Sequence, residues 1–175
     1  MAGWGSLSLF AVVGTAQRTF APSALLQARP RLILNGMDKA EVDRWLGSYV
    51  EAWKTYDPDL IGALFADDIE YRYHPYDDPV VGRQAVIAAW VGESDAPGVS
   101  ARDAPGTYDG NYAARAVGGD VAVATGVTTY YEAPGGSVDR VFHNCFVMRF
   151  DRDMRCAEFT EWYMERPPAG GDDDE

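Results

Sequence analysis

The stretch YRYHPYDDPVVGR, residues 71–83, sets tyrosines, a histidine, aspartates and prolines side by side. A histidine titrates near neutrality, so it can take or give a proton without the burial that a carboxylate needs for the same task. A phenol can donate a hydrogen bond to a carbonyl oxygen on which charge develops. The whole chain holds only two histidines, His74 and His143. Tyr71, Tyr73 and His74 are expected to line a pocket. From Pro75 onward the stretch reads as structure, with Asp77 and Asp78 as turn formers ahead of Pro79.

The elements that must hold these groups are legible in outline. Asp38 with Glu41 forms a capping-box pattern. Val42, Trp45, Leu46, Tyr49, Val50 and Trp53 follow at helical spacing and define one apolar face. Asp57-Pro58 is a helix cap followed by proline at the first helical position, and it opens a second helix through Leu60, Ile61, Leu64 and Phe65. DIEYRYHPY alternates and is rich in aromatics, as a strand should be. After Gly82, RQAVIAAWVGE reads as a third helix with Val86, Ala89 and Trp90 on one side, and Trp90 is a candidate ligand contact. The remainder is strands punctuated by turns: YDGNYAARAV, VAVATGVTTYYE, VDRVFHNCFVMRF and RCAEFTEWYME. Three helices with one early strand, then an antiparallel meander, make an α+β layout with room for a pocket between the layers.

Composition excludes several roles. With 175 residues, 47% of them hydrophobic, the chain suits one domain with a core. A net charge of −12 argues against nucleic acid or an anionic membrane as partner. Cys145 and Cys156 form no CxxC pair, which disfavours a zinc site or a disulfide framework and fits a reducing cytoplasm. No apolar run approaches the roughly 20 residues that span a bilayer. YDGNY is a turn, not a nucleotide motif. Residues 1–36 hold three arginines and no acid, so everything from Met37 onward carries −15. They are expected to be a disordered extension or a mis-assigned start, with a cleaved targeting segment as the alternative, the domain at 37–167 and a solvated acidic tail at 168–175.

The order of elements, the segment AWKTYDPDLIGALFADDIEYRY, the Gly-Arg before the third helix and the closing FVMRFDRDMRCAEFTEWY resemble the cone-shaped NTF2-like fold. Within it they are most similar to the SnoaL-like group, over about residues 38–166. The resemblance implies three helices packed in a strongly bent antiparallel sheet enclosing a pocket. Ketosteroid isomerases, polyketide cyclases, scytalone dehydratases and limonene epoxide hydrolases share that fold. The steroid isomerase pattern puts an oxyanion-binding tyrosine eight residues before the aspartate that opens the second helix, which here is Tyr49 before Asp57. The position of that family's aspartate base falls on Tyr73, beside His74. Its second oxyanion donor, seven residues before the last aromatic of the penultimate strand, falls on His143 counted from Phe150. The same likeness turns Phe159, Glu161 and Tyr163 inward on the final strand.

Taken together, His143, Tyr49 and His74 are the expected catalytic groups, with Tyr71, Tyr73, Trp90, Phe159, Glu161 and Tyr163 around the substrate. A metal held by His74, His143 and Glu161 is disfavoured because no two of them form a local pair, and no cofactor is expected. Strand alternation alone buries the face of Phe142, Phe146, Met148 and Phe150 and exposes His143, whereas the resemblance turns His143 inward. A sheet covered on both sides, one of them a homodimer interface, reconciles the two, so a dimer through the convex face is expected.

Two functional classes remain. One is a cofactor-free isomerase, cyclase or dehydratase acting on a small hydrophobic carbonyl compound. The other is a non-catalytic module that binds an apolar ligand or a protein. An isolated acid in a dry pocket would separate them in favour of the enzyme.

Overall fold

Local chemistry starts the helices. The Asp38 carboxylate accepts the Glu41 N–H at 2.8 Å, and the Glu41 carboxylate accepts the Asp38 N–H at 2.8 Å. This reciprocal cap opens α1, Lys39–Thr55. The computed structural model describes residues 37–92 and 102–167. The expected extension at 1–36 and acidic tail at 168–175 lie outside the described residues. α1 ends at Tyr56, held left-handed at φ 51°. A β-carbon makes that conformation costly, on the order of 1 kcal/mol, so the surroundings must hold it. Asp57 accepts the Asp59 N–H at 2.8 Å and caps α2, Pro58–Leu64.

The second helix stops one residue short of Phe65, which begins β1, Phe65–Arg72. The Trp45 indole N–H donates to the Leu64 carbonyl at 3.1 Å, satisfying a helix-end acceptor and tying α1 to α2. A short β2, Val80–Val81, leads through Gly82 into α3, Arg83–Trp90. Four long strands follow: β3, Tyr108–Gly118; β4, Val121–Tyr131; β5, Val138–Phe150; and β6, Cys156–Glu165.

The sheet order is β2-β1-β6-β5-β4-β3. All neighbours are antiparallel except β1 and β6, which run parallel. The sheet is therefore mixed, where a purely antiparallel one was expected. The meander returns its last strand beside the first, and after an even number of reversals the two point the same way.

Alternation sorts the strands into two faces. Ala122, Ala124 and Thr128 of β4, Asn144, Phe146, Met148 and Phe150 of β5, and Phe159 of β6 are buried on the helix side. They close over Val42, Trp45, Leu46, Tyr49 and Ala52 of α1. The apolar face of β5 thus turns inward. The premise that it needs a partner chain to cover it does not hold.

Two details shape the sheet over the helix. Asp43 accepts the Ala114 N–H at 2.7 Å, beside the register shift between Ala114 and Ala116, and so pins α1 to β3. Gly126 pairs with Tyr112 across β3 and β4, and a β-carbon there would collide with the Asn111 carbonyl and the Tyr112 ring. Only glycine lets that ring lie across its strand.

Candidate functional site

A cavity of about 430 Å³ opens between α1, α3 and the inner face of the sheet. Helix spacing and strand alternation aim its walls. Tyr49, Trp53 and Tyr56 come from α1 and its end, Trp90 from α3, and Tyr71 and Tyr73 from β1 and the residue just beyond it. The sheet adds Tyr112, Thr128, Tyr130, Asn144 and Glu161. The lining is mainly aromatic, with phenol hydroxyls as its commonest polar group.

Among the described residues, Glu161 is the one carboxyl set deep in it. The Asn144 amide donates to Glu161 Oε1 at 2.7 Å, and Thr128 Oγ1 donates to Asn144 Oδ1 at 3.0 Å. With its proton spent on Asn144, Thr128 must accept from the Tyr112 phenol at 2.6 Å. This line of donors fixes the Asn144 amide with its N–H toward the carboxyl. Burial pushes the Glu161 carboxyl up to about 7, against the opposing pull of the Asn144 hydrogen bond. A proton is therefore held or released there near neutrality.

The same cavity wall carries a phenol pair. Tyr49 Oη and Tyr71 Oη lie 3.2 Å apart, both buried. Only one proton can sit between them, so the second is free to be donated into the cavity. Burial first, then neighbouring phenol and Glu161 charges, raise both phenols well above the ordinary tyrosine range. They act as neutral donors, not as bases. Phe159 supports the pair, stacked on Tyr71 at 4.6 Å and on Tyr49 at 5.6 Å, with no exposed surface of its own. Trp90 meets Tyr49 edge-on at 5.1 Å.

Nearer the mouth, His74 bonds Asp77 through Nδ1 at 2.7 Å and Tyr163 through Nε2 at 2.5 Å. Arg140, Phe142, Arg102 and Asp103 also line the cavity. Burial raises the Asp103 carboxyl above its usual range.

Of the residues expected from the sequence, Tyr49, Tyr71, Tyr73, His74, Trp90, Glu161 and Tyr163 meet in this one cavity. Phe159 does not line it. It lies beneath the phenol pair as support, not as a substrate contact. His143 is misplaced more seriously: it is exposed on the outer face of β5, paired across from Met164. Phe150 points inward and side chains alternate with period two, so an offset of seven from it lands outside. The inward residue is Asn144. Asp77 is also more than a turn former, since its side chain binds the His74 ring.

Sequence reading missed Asn144, Thr128 and Tyr112. Alternation from Phe146 would have found the first, but nothing local marks the other two as its partners.

Comparison with known proteins agrees with this fold. The SnoaL-like domain family model matches residues 46–159, and the chain belongs to that family. No curated protein matches. Among solved structures, an NTF-2 like protein of unknown function from Burkholderia xenovorans is similar at 17% identity and a TM-score of 0.53. That match covers 78% of this chain and 92% of that one. An LEH-like epoxide hydrolase of M. tuberculosis is similar at 14% identity and a TM-score of 0.50, covering 72% of this chain and 84% of that one. At these identities the likeness establishes the fold alone.

Proposed function

We propose that this SnoaL-like domain is a cofactor-free proton-transfer enzyme of the isomerase, cyclase or dehydratase kind, acting on a small hydrophobic carbonyl compound. Glu161 moves the proton, and the Tyr49–Tyr71 pair donates to the oxygen that gains charge. One observation carries this reading: the Glu161 carboxyl, oriented by Asn144 and pushed by burial to about 7, faces an aromatic cavity large enough for a small ring system.

The chemistry follows from the placement. Proton removal beside a carbonyl leaves an enolate, whose oxygen charge needs a donor in a water-poor site. The neutral phenols supply that donor without competing for the proton. The epoxide hydrolase neighbour shares the fold at 14% identity, and that likeness brings no residue role here.

The test needs no knowledge of the natural substrate. 5-Nitrobenzisoxazole opens when a base removes its single ring C–H proton, and it is small and planar. The full chain should open it faster than buffer does, with a rate that rises with pH through about 7 as Glu161 loses its proton. Glu161→Gln keeps shape and hydrogen bonding and should cost on the order of 10²-fold or more. Binding without acceleration, equal in the parent and in E161Q, would favour the non-catalytic ligand module instead.

A further inference from the structure

We infer that Asp77, His74 and Tyr163 form a proton-delivery relay at the cavity mouth, and that the reaction served is the elimination of water from a β-hydroxy carbonyl compound. This rests on Glu161 acting as the base and adds the acid that such a reaction requires.

The relay is built from two distant pieces of chain. The Asp77 N–H donates to the His74 carbonyl at 3.1 Å, closing a turn over Pro75 and Tyr76 that brings the Asp77 carboxylate back onto its own turn's imidazole. The Tyr76 ring stacks on His74 at 5.0 Å with an interplanar angle of 12°, fixing the plane of the imidazole. β6 then delivers Tyr163 to the other ring nitrogen. With Nδ1–H committed to Asp77, Nε2 can face only the phenol, so the ring is oriented for transfer along that line. Tyr163 and Glu161 are two apart on one strand and share its inner face.

The two groups differ in access to water. The His74 and Asp77 side chains keep 25% and 26% of their surface exposed, whereas the Glu161 carboxyl is set deep in the cavity. A group that must be reloaded with protons from solvent belongs at the mouth. A base that must meet a C–H bond belongs inside.

The step balances. The Glu161 carboxylate takes the proton from the carbon beside the carbonyl, and the electron pair of that C–H bond becomes the new C=C bond. The β C–O bond breaks, and the hydroxyl leaves as water with the Tyr163 phenol proton. Tyr163 recovers a proton from the imidazolium Nε2, leaving His74 neutral with Nδ1–H on Asp77. Solvent then reprotonates His74, and Glu161 releases its proton. A bare isomerisation needs only Glu161, which can return the proton it took. Hydroxide is a poor leaving group and needs an acid at a second point, which is where the relay stands.

A leaving-group comparison tests it. Unsubstituted benzisoxazole expels a more basic phenolate than the 5-nitro compound, so an acid at the mouth helps it more. Relative to the parent chain, Tyr163→Phe and Asp77→Asn should slow the unsubstituted compound about tenfold more than the nitro compound. Glu161→Gln should slow both alike, and His143→Gln should leave the ratio where it was. If Y163F and D77N slow the two compounds equally, or slow neither, while E161Q still abolishes opening, the relay is wrong and the base stands. If the full chain opens neither compound, both readings fall.

Discussion

Burying an acid that would rather be charged destabilises the fold, and Glu161→Gln should reveal by how much. In the folded chain the Glu161 carboxyl rises from the 4.5 of a free glutamate to about 7. Each tenfold change in proton affinity is worth about 1.4 kcal/mol, so the full rise amounts to about 3 kcal/mol. The sign follows from proton counting. Between these two values the folded state holds the proton and the unfolded chain does not, so the parent loses stability as pH rises from 4.5 towards 7 and stays at the lower level above it. The tyrosines around it remain neutral there and Asn144 does not titrate, while His74 and Asp103, which also line the cavity, are the same in parent and variant and drop out of the difference between them. The glutamine amide of E161Q keeps the acceptor for Asn144 and carries no charge. The variant should therefore be about 3 kcal/mol more stable than the parent at pH 8 and within about 0.5 kcal/mol of it at pH 4.5, since a near-isosteric change that keeps its hydrogen bond is close to neutral. Urea denaturation at fixed temperature across this pH range reads the difference directly through the midpoint. A variant less stable than the parent at pH 8, or a difference that does not grow with pH, would refute the desolvated carboxyl and with it the proposed base.

Four other outcomes are expected. Tyr49→Phe removes half of the donor pair and should cost about tenfold in forming the enolate, read as a loss of kcat once a ketone substrate is found. Phe159→Ala removes the support under both phenols from a fully buried site and should cost about 3–5 kcal/mol in urea denaturation, whereas a cost below about 1 kcal/mol would mean the rings do not rest on it. His143→Gln should change neither rate nor pH profile, because that ring lies on the outer face, and any kinetic effect would contradict the placement. We propose that Val147, Trp162 and Met164, exposed together on the outer face of β5 and β6, pair with a second copy of the chain, and sedimentation equilibrium showing only monomer at micromolar concentration would overturn it.

What the sequence decided is what short range decides. The box between Asp38 and Glu41, the Asp57-Pro58 start and the spacing of Val42, Trp45, Leu46 and Tyr49 involve neighbours within a turn or two, so the first two helices and their buried faces could be read directly. Strand alternation is equally local and puts His143 on the outside of β5. The contrary expectation came from counting an odd offset along a period-two element. The parallel meeting of β1 with β6 was not legible, because it depends on how many times the chain reverses before it returns. Nor were the contacts that make the site. Glu161 takes its orientation from Asn144 on β5, Asn144 from Thr128 on β4, and Thr128 from Tyr112 on β3. His74 meets Tyr163 across 89 residues of chain. A glutamate in a sequence is an ordinary acid; only the packing of α1, α3 and the sheet around it removes the water that would keep it one.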